Sequence, residues 1–193
     1  SYLEGTNYAL ASQTEPGSTF KIASAIVALE TGKVDTSTMI PTGNGSHNFY
    51  GKTMRDWNYN KGGYGKISLS RGIQVSSNIA SALIIDELFK DNPQKFIEGL
   101  YKLGINNDWD LEIRGVARPD IKSVDDPTWS KLSLPWIAHG YEVKVPPIYI
   151  LTLYNAIANN GKMMHPFLVN SVGLNGKRSV EKSPRVLNPQ ICS

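Results

Sequence analysis

A single cysteine, Cys192, and three histidines leave this chain little material for several kinds of site. One cysteine cannot close an intramolecular disulfide, and it fits an oxidising or a reducing compartment equally well. His47, His139 and His165 lie far apart without the spacing of metal ligands, so neither a metal nor a cofactor is expected. No stretch approaches the roughly 18 apolar residues of a membrane span. The first residues, Ser1-Tyr2-Leu3-Glu4-Gly5, lack the basic and apolar segments of a signal peptide. The sequence has no Gly-x-Ser-x-Gly elbow, no Walker loop and no Gly-x-Gly-x-x-Gly after a strand, which removes one large hydrolase class and nucleotide chemistry. Asn107-Asp108-Trp109-Asp110 is acidic but lacks the glycine and spacing of a calcium loop. A net charge of +3, scattered along the chain, gives no footprint for nucleic acid.

What is present fits one soluble globular domain or a large piece of one: 193 residues, 40% hydrophobic and 19% charged. The segment Glu15-Pro16-Gly17-Ser18-Thr19-Phe20-Lys21 puts a serine and a lysine at i and i+3 where a helix starts. On a helix those side chains share a face, so an amine can reach a hydroxyl: a nucleophile with a base beside it. With 18 serines and 14 lysines, about one match to Ser-x-x-Lys is expected by chance, and a second does occur at Ser179-Val180-Glu181-Lys182. The second lies in the charged run Lys177 to Arg185 and reads as a solvated surface loop. The first follows a proline–glycine turn and precedes an apolar helical stripe of Phe20, Ile22, Ala23, Ile26, Val27 and Leu29, closed by Gly32. The competing reading of Ser18 is an N-cap hydroxyl.

Residues 33 to 66 are rich in Gly, Asn, Tyr and Lys and too long for an idle connection; such a loop is functional or holds short hairpins. Helical periodicity is expected from Ile67 to Val75 and again from Ile79 to Leu88. Between them Ser76-Ser77-Asn78 forms a polar joint, either a cap or a site. Ser-x-Asn also recurs by chance, as at Ser46-His47-Asn48. Further helices are expected after Asn92-Pro93, with Gly104 as a stop, and from Pro147 to Asn160. Residues 105 to 135 read as irregular. Pro166 to Val172, followed by Asn175-Gly176 and Arg178-Ser179-Val180, reads as a hairpin.

Taken together, the Glu-Pro-Gly-Ser-Thr-Phe-Lys segment, Ser76-Ser77-Asn78, and Gly140-Tyr141-Glu142-Val143-Lys144-Val145-Pro146-Pro147 leading into a helix resemble the transpeptidase domain of class B penicillin-binding proteins, and most closely the division-type D,D-transpeptidases. The resemblance runs from about Gly5 to about Pro189. It implies an α+β, β-lactamase/transpeptidase-like fold, here dominated by the helical subdomain with short hairpins. It also implies that Ser18 is acylated, that Lys21 accepts its proton, that Ser76 relays a proton to the leaving amine, and that Asn78 holds Lys21 and the substrate amide. The implied partners are D-Ala-D-Ala stem peptides of peptidoglycan, β-lactams, and divisome or elongation proteins. The family's third motif, Lys-Thr-Gly or Lys-Ser-Gly, is absent. The expectation is therefore a partial transpeptidase domain over residues 1–193, weak or inactive alone. Its anchor, pedestal and remaining sheet strands would lie outside the chain, at the extracytoplasmic face of a bacterial inner membrane. Two rival readings are a serine β-lactamase or β-lactam sensor, and a non-catalytic helical domain that binds a partner.

Overall fold

The computed structural model describes residues 5–109, 111, 114–169, 171–174, 177–181 and 184–191. The chain enters through a one-turn helix, α1 (Tyr8–Ala11), opened by Asn7, whose Oδ1 accepts the Ala9 N–H at 3.1 Å. A 3-10 turn over Gly17–Phe20 then runs without a break into α2 (Lys21–Leu29). Buried residues cover nearly every side of α2, the mark of a helix at the centre of a core. It stops at Leu29, and Gly32 follows with φ 65.

The long segment after α2 does hold hairpins. β1 (Met39–Gly43) is followed by β2 (Ser46–Phe49) and β3 (Lys52–Arg55), which pair across a turn of Tyr50 and Gly51 with φ of 48 and 90. Positive φ at both central residues matches the twist of the flanking strands. β4 (Gly65–Ser68) returns to pair antiparallel with β1. Ile67 and Ser68, expected to be helical, belong to this strand: they pair with Ile40 and Met39. Cross-strand pairing outweighs the helical period there, and Ser68 instead caps α3 (Leu69–Gln74), accepting the Arg71 N–H at 3.1 Å.

α4 (Asn78–Phe89) and α5 (Pro93–Lys102) follow where their periodicity and caps place them. Both α3 and α5 come close to their neighbours through glycine. A Cβ on Gly99 would stand 2.5 Å from Val27 Cγ1, and one on Gly72 would stand 2.9 Å from Ala80 Cβ. The stretch read as irregular contains β5 (Asp120–Ile121) and α6 (Ser133–Ile137). Its acidic Asn107–Asp108–Trp109 segment is structural: Trp109 is buried and stacks on Tyr149 at 3.8 Å, and the Tyr149 hydroxyl donates to the Asn107 carbonyl at 2.6 Å. Asp110 lies outside the described residues.

β6 (Val143–Lys144) pairs with β5 and leads into α7 (Pro147–Ala158), which starts on proline as expected. β7 (Met163–Met164), β8 (Ser171–Leu174), β9 (Lys177–Glu181) and β10 (Val186–Asn188) complete the order, β8 with β9 and β7 with β10. The run from Lys177, read as a solvated loop, is thus partly a strand, because pairing with β8 satisfies its backbone. Asn175, Gly176, Lys182, Ser183 and Cys192 lie outside the described residues. One core cluster spans Phe20, Ile26, Ile85, Phe96, Leu100 and Leu153 among others. A second, made by Phe49, Met54, Ile79 and Ala82, fastens the β2–β3 hairpin onto α4. Among the described residues no helix is long and apolar enough to cross a membrane.

Candidate active site

Ser18 does not cap a helix. It sits inside the 3-10 turn, where side chains at i and i+3 eclipse, and this brings its Oγ to 3.1 Å from Lys21 Nζ. Gly17 makes the turn possible with φ 55. A second strip of chain, residues 140 to 154, runs beside it and holds it at four points. The Val145 N–H donates to the Thr14 carbonyl at 2.9 Å and the Glu142 N–H to Glu15 Oε1 at 3.0 Å. The Gly17 N–H donates to the Gly140 carbonyl at 3.0 Å, and the Tyr154 hydroxyl to the Thr19 carbonyl at 3.1 Å. Gly140 must be glycine: φ is 90, and a Cβ there would stand 2.0 Å from the Gly17 oxygen. Glu142, itself at φ 53, is further held by an ion pair with Lys122 at 2.7 Å.

Lys21 begins α2 and is only 2% exposed. Its Nζ lies 2.6 Å from the Ser76 carbonyl, 2.9 Å from Ser76 Oγ and 2.7 Å from Asn78 Oδ1, besides Ser18. All four residues singled out in the sequence therefore meet at one nitrogen. The polar joint is both a cap and a site, divided by residue. Ser77 is the cap, its Oγ accepting the Ala80 N–H at 2.9 Å, while Ser76, at φ 55, and Asn78 face the amine. The Asn78 amide orientation is fixed by chemistry, since its Nδ2 donates to the Arg55 carbonyl at 2.9 Å and Oδ1 must then point at Lys21.

The electrostatics suit proton transfer. Burial lowers Lys21 from its ordinary 10.5 to about 8, against an opposing pull from the Asp56 charge. At pH 7 about one amine in ten is then neutral, compared with about one in 3,000 for a free lysine. A neutral amine has two N–H bonds and one lone pair. The Ser76 carbonyl and Asn78 Oδ1 can only accept, so they take the two N–H bonds and turn the lone pair toward the hydroxyls of Ser18 and Ser76.

Two residues of the site were not foreseen from the sequence. Asp56, 2% exposed, sits after β3 in the stretch read as a loop and accepts from Ser77 Oγ at 2.7 Å, Asn78 N at 2.7 Å and Ile79 N at 3.1 Å. The one clue is that α4 has no acid in its own first turn, which leaves its N-terminus open to an acid from elsewhere. His139, 6% exposed, donates Nδ1–H to the Pro135 carbonyl at 2.8 Å and packs against Trp136 and Tyr141. Burial pushes it to about 4, with the Lys21 charge adding to the fall, so its ring is neutral. His47 lies on β2 against Phe49, and His165 is buried beyond β7. Among the described residues no three His, Cys, Asp or Glu side chains could hold one metal ion.

Residues 4–192 match the family described as the penicillin binding protein transpeptidase domain. The chain belongs to that family. It is 26% identical over 189 residues to the penicillin-binding protein PbpB of Mycolicibacterium smegmatis, covering 95% of this chain and 28% of that protein. It is 26% identical over 157 residues to the probable peptidoglycan D,D-transpeptidase FtsI of Caulobacter vibrioides, covering 81% and 25%. The chain spans about a quarter of the length of these curated relatives. Among solved structures, the D,D-transpeptidase domain of a peptidoglycan glycosyltransferase from Eggerthella lenta superposes with a TM-score of 0.84 at 28% identity, over 97% of this chain and 47% of that one. The ceftriaxone acyl-enzyme of penicillin-binding protein A from M. tuberculosis gives 0.83 at 19% identity, over 97% and 41%, a likeness of fold. The expected α+β, transpeptidase-like architecture with small sheets around a helical core is the one found.

Proposed function

We propose that this domain works in a serine-type D,D-transpeptidase that cross-links peptidoglycan. Lys21 takes the Ser18 hydroxyl proton as Oγ attacks the carbonyl between the two D-Ala residues of a stem peptide. Ser76 passes a proton to the departing amine, D-Ala leaves, and the stem peptide stays esterified to Ser18. An amine of a neighbouring strand then attacks the ester, Ser18 recovers its proton, and the peptide cross-link forms. Asn78 orients Lys21 and the substrate amide. Ser18 stands at the N-terminal end of α2, where the helix dipole favours negative charge developing nearby. A β-lactam opens on the same oxygen and stays attached.

The observation that carries this reading is the single buried amine within 3.1 Å of both serine hydroxyls and of two pure acceptors. It is supported by the D,D-transpeptidase named in Caulobacter and by the acyl-enzyme known for the mycobacterial fold relative. The proposal extends to a septal role beside divisome or elongation partners, at the outer face of the bacterial inner membrane, in a longer protein anchored by a helix outside this sequence. Because the sequence contains no Lys-[Ser/Thr]-Gly, the 193-residue chain alone is proposed to acylate weakly or not at all. Treating the longer protein and the chain with a fluorescent penicillin tests both parts. The longer protein is expected to label, and Ser18→Ala to abolish the label. Labelling that survives Ser18→Ala overturns the nucleophile, and equal labelling of the 193-residue chain overturns its weakness.

A further inference from the structure

We propose that Asp56 is a positioning residue for acyl transfer, holding the Ser76–Asn78 turn in the place where it receives Lys21. This inference rests on the reading of Lys21 as the base. Three hydrogen bonds converge on the Asp56 carboxylate, from Ser77 Oγ, Asn78 N and Ile79 N, and together they pin the first turn of α4. The preceding residue adds a fourth restraint, because the Arg55 carbonyl accepts from Asn78 Nδ2 at 2.9 Å. Arg55 and Asp56 thus clamp Asn78 by its backbone and its side chain at once. Its Oδ1 is left 2.7 Å from Lys21 Nζ, and Ser76, two residues earlier in the same turn, supplies the other two oxygens on the α4 side.

Such a clamp is needed because Ser76 sits at φ 55, a conformation that a non-glycine residue keeps only when its surroundings enforce it. The hairpin gives the clamp a firm base. Phe49 and Met54 pack on Ile79 and Ala82 of α4, and the Tyr50 hydroxyl reaches Asp86 farther along that helix at 2.9 Å. β2, β3 and α4 therefore bring Asp56 to the turn as one assembly.

The carboxylate also acts through its charge, which holds the Lys21 proton more firmly and opposes the effect of burial. Among the described residues, His139, neutral from the turn after α6, also lies within electrostatic reach of the amine, and Glu15, before the 3-10 turn, accepts from the Glu142 N–H. The 3-10 turn and the start of α4 bring serines and an asparagine. Of the remaining elements packed on α2, α3 carries Arg71, exposed and bonded to Gln74, and the α5 charges Lys95, Glu98 and Lys102 line a cavity at the opposite end of α2. Asp56 is thus the anionic partner of this amine, and its two effects have opposite signs: position favours transfer, charge restrains it.

Asp56→Asn separates the two, since the amide keeps the shape and one oxygen acceptor while removing the charge. In the 193-residue chain, labelled at the lysine Cε and Nζ, the Lys21 titration followed by NMR is expected to move down by about 1 pH unit. In the longer protein, the acid limb of β-lactam acylation is expected to move by the same amount. An unmoved titration overturns the electrostatic half of the inference, whatever the rate does. Acylation that survives Ser18→Ala, by contrast, overturns the underlying reading and leaves the NMR result standing. Asp56→Glu keeps the charge but displaces the turn, so it is expected to slow acylation at least tenfold with the limb in place. Full activity in a folded Asp56→Glu protein also overturns the inference, and this variant carries the test if Asp56→Asn does not fold.

Discussion

α2 and α4 both start on a turn that carries serine, yet the two serines are held in opposite ways. At α4, Ser77 is fully buried; its Oγ accepts from Ala80 N and donates to Asp56, spending both capacities on structure. At α2, Ser18 is exposed, no side chain caps the 3-10 turn, and its Oγ meets Lys21. A helix-start serine that is already satisfied is a fastening. One left at the surface beside a desolvated amine is available for chemistry. The surrounding structure decides between them: the strip from Gly140 to Tyr154 holds the Ser18 turn and the residues before it through the backbone of Thr14, Gly17 and Thr19 and the side chain of Glu15, so the Ser18 hydroxyl itself carries none of that work.

The largest test of this contrast is to remove the amine. Lys21→Ala is expected to slow acylation of Ser18 by about 10²- to 10⁴-fold, the usual worth of a positioned general base. The pH dependence has a definite sign. The base must be neutral to take a proton, and burial brings Lys21 to about 8, so acylation is expected to rise with pH up to about 8 and level off above it. Stopped-flow acylation across that range checks both statements. A flat profile, or a Lys21→Ala protein that acylates normally, would make Ser18 a surface serine and dissolve the comparison.

Next in size is the support beneath the Ser18 turn. Gly140→Ala would set a methyl group 2.0 Å from the Gly17 oxygen at a backbone φ of 90. Neither strand of backbone can yield without losing the Gly17–Gly140 hydrogen bond. We expect a loss of about 3 kcal/mol or more in denaturant unfolding, and slower acylation in whatever folded protein remains. Wild-type stability in Gly140→Ala would mean that the two turns do not depend on each other.

The same contrast explains how much could be read from the sequence. Ser18 and Lys21 were legible because their contact is local, three residues apart, and because a turn and an apolar stripe bracket them. α4, α5 and α7 were legible from periodicity, the latter two also from a proline at their starts. Ser76–Asn78 could be seen as a polar joint, but not the division of work inside it. Asp56 was hidden, since its role comes from a fold that places it beside residues about 20 positions later. His139 was hidden for the same reason: it lies within electrostatic reach of a lysine more than 100 residues earlier. Ile67 and Ser68 were misread because apolar spacing does not reveal a partner strand, and theirs, β1, lies some 27 residues upstream.

The smallest expected effect sharpens the comparison most, because it exchanges the two serines. Ser77→Ala removes an N-cap and one of the bonds to the buried Asp56 carboxylate, and should cost about 1–2 kcal/mol. Ser18→Ala removes an exposed hydroxyl that caps nothing, and should stay within about 0.5 kcal/mol of wild type in the same unfolding experiment. The β-lactam readout should run the other way: Ser77→Ala still forms the acyl-enzyme, more slowly as the Ser76–Asn78 turn loosens, whereas Ser18→Ala forms none. If Ser18→Ala proved the more destabilising of the two, its hydroxyl would be holding the turn after all, and the division between fastening and chemistry would fail at the residue where it matters most.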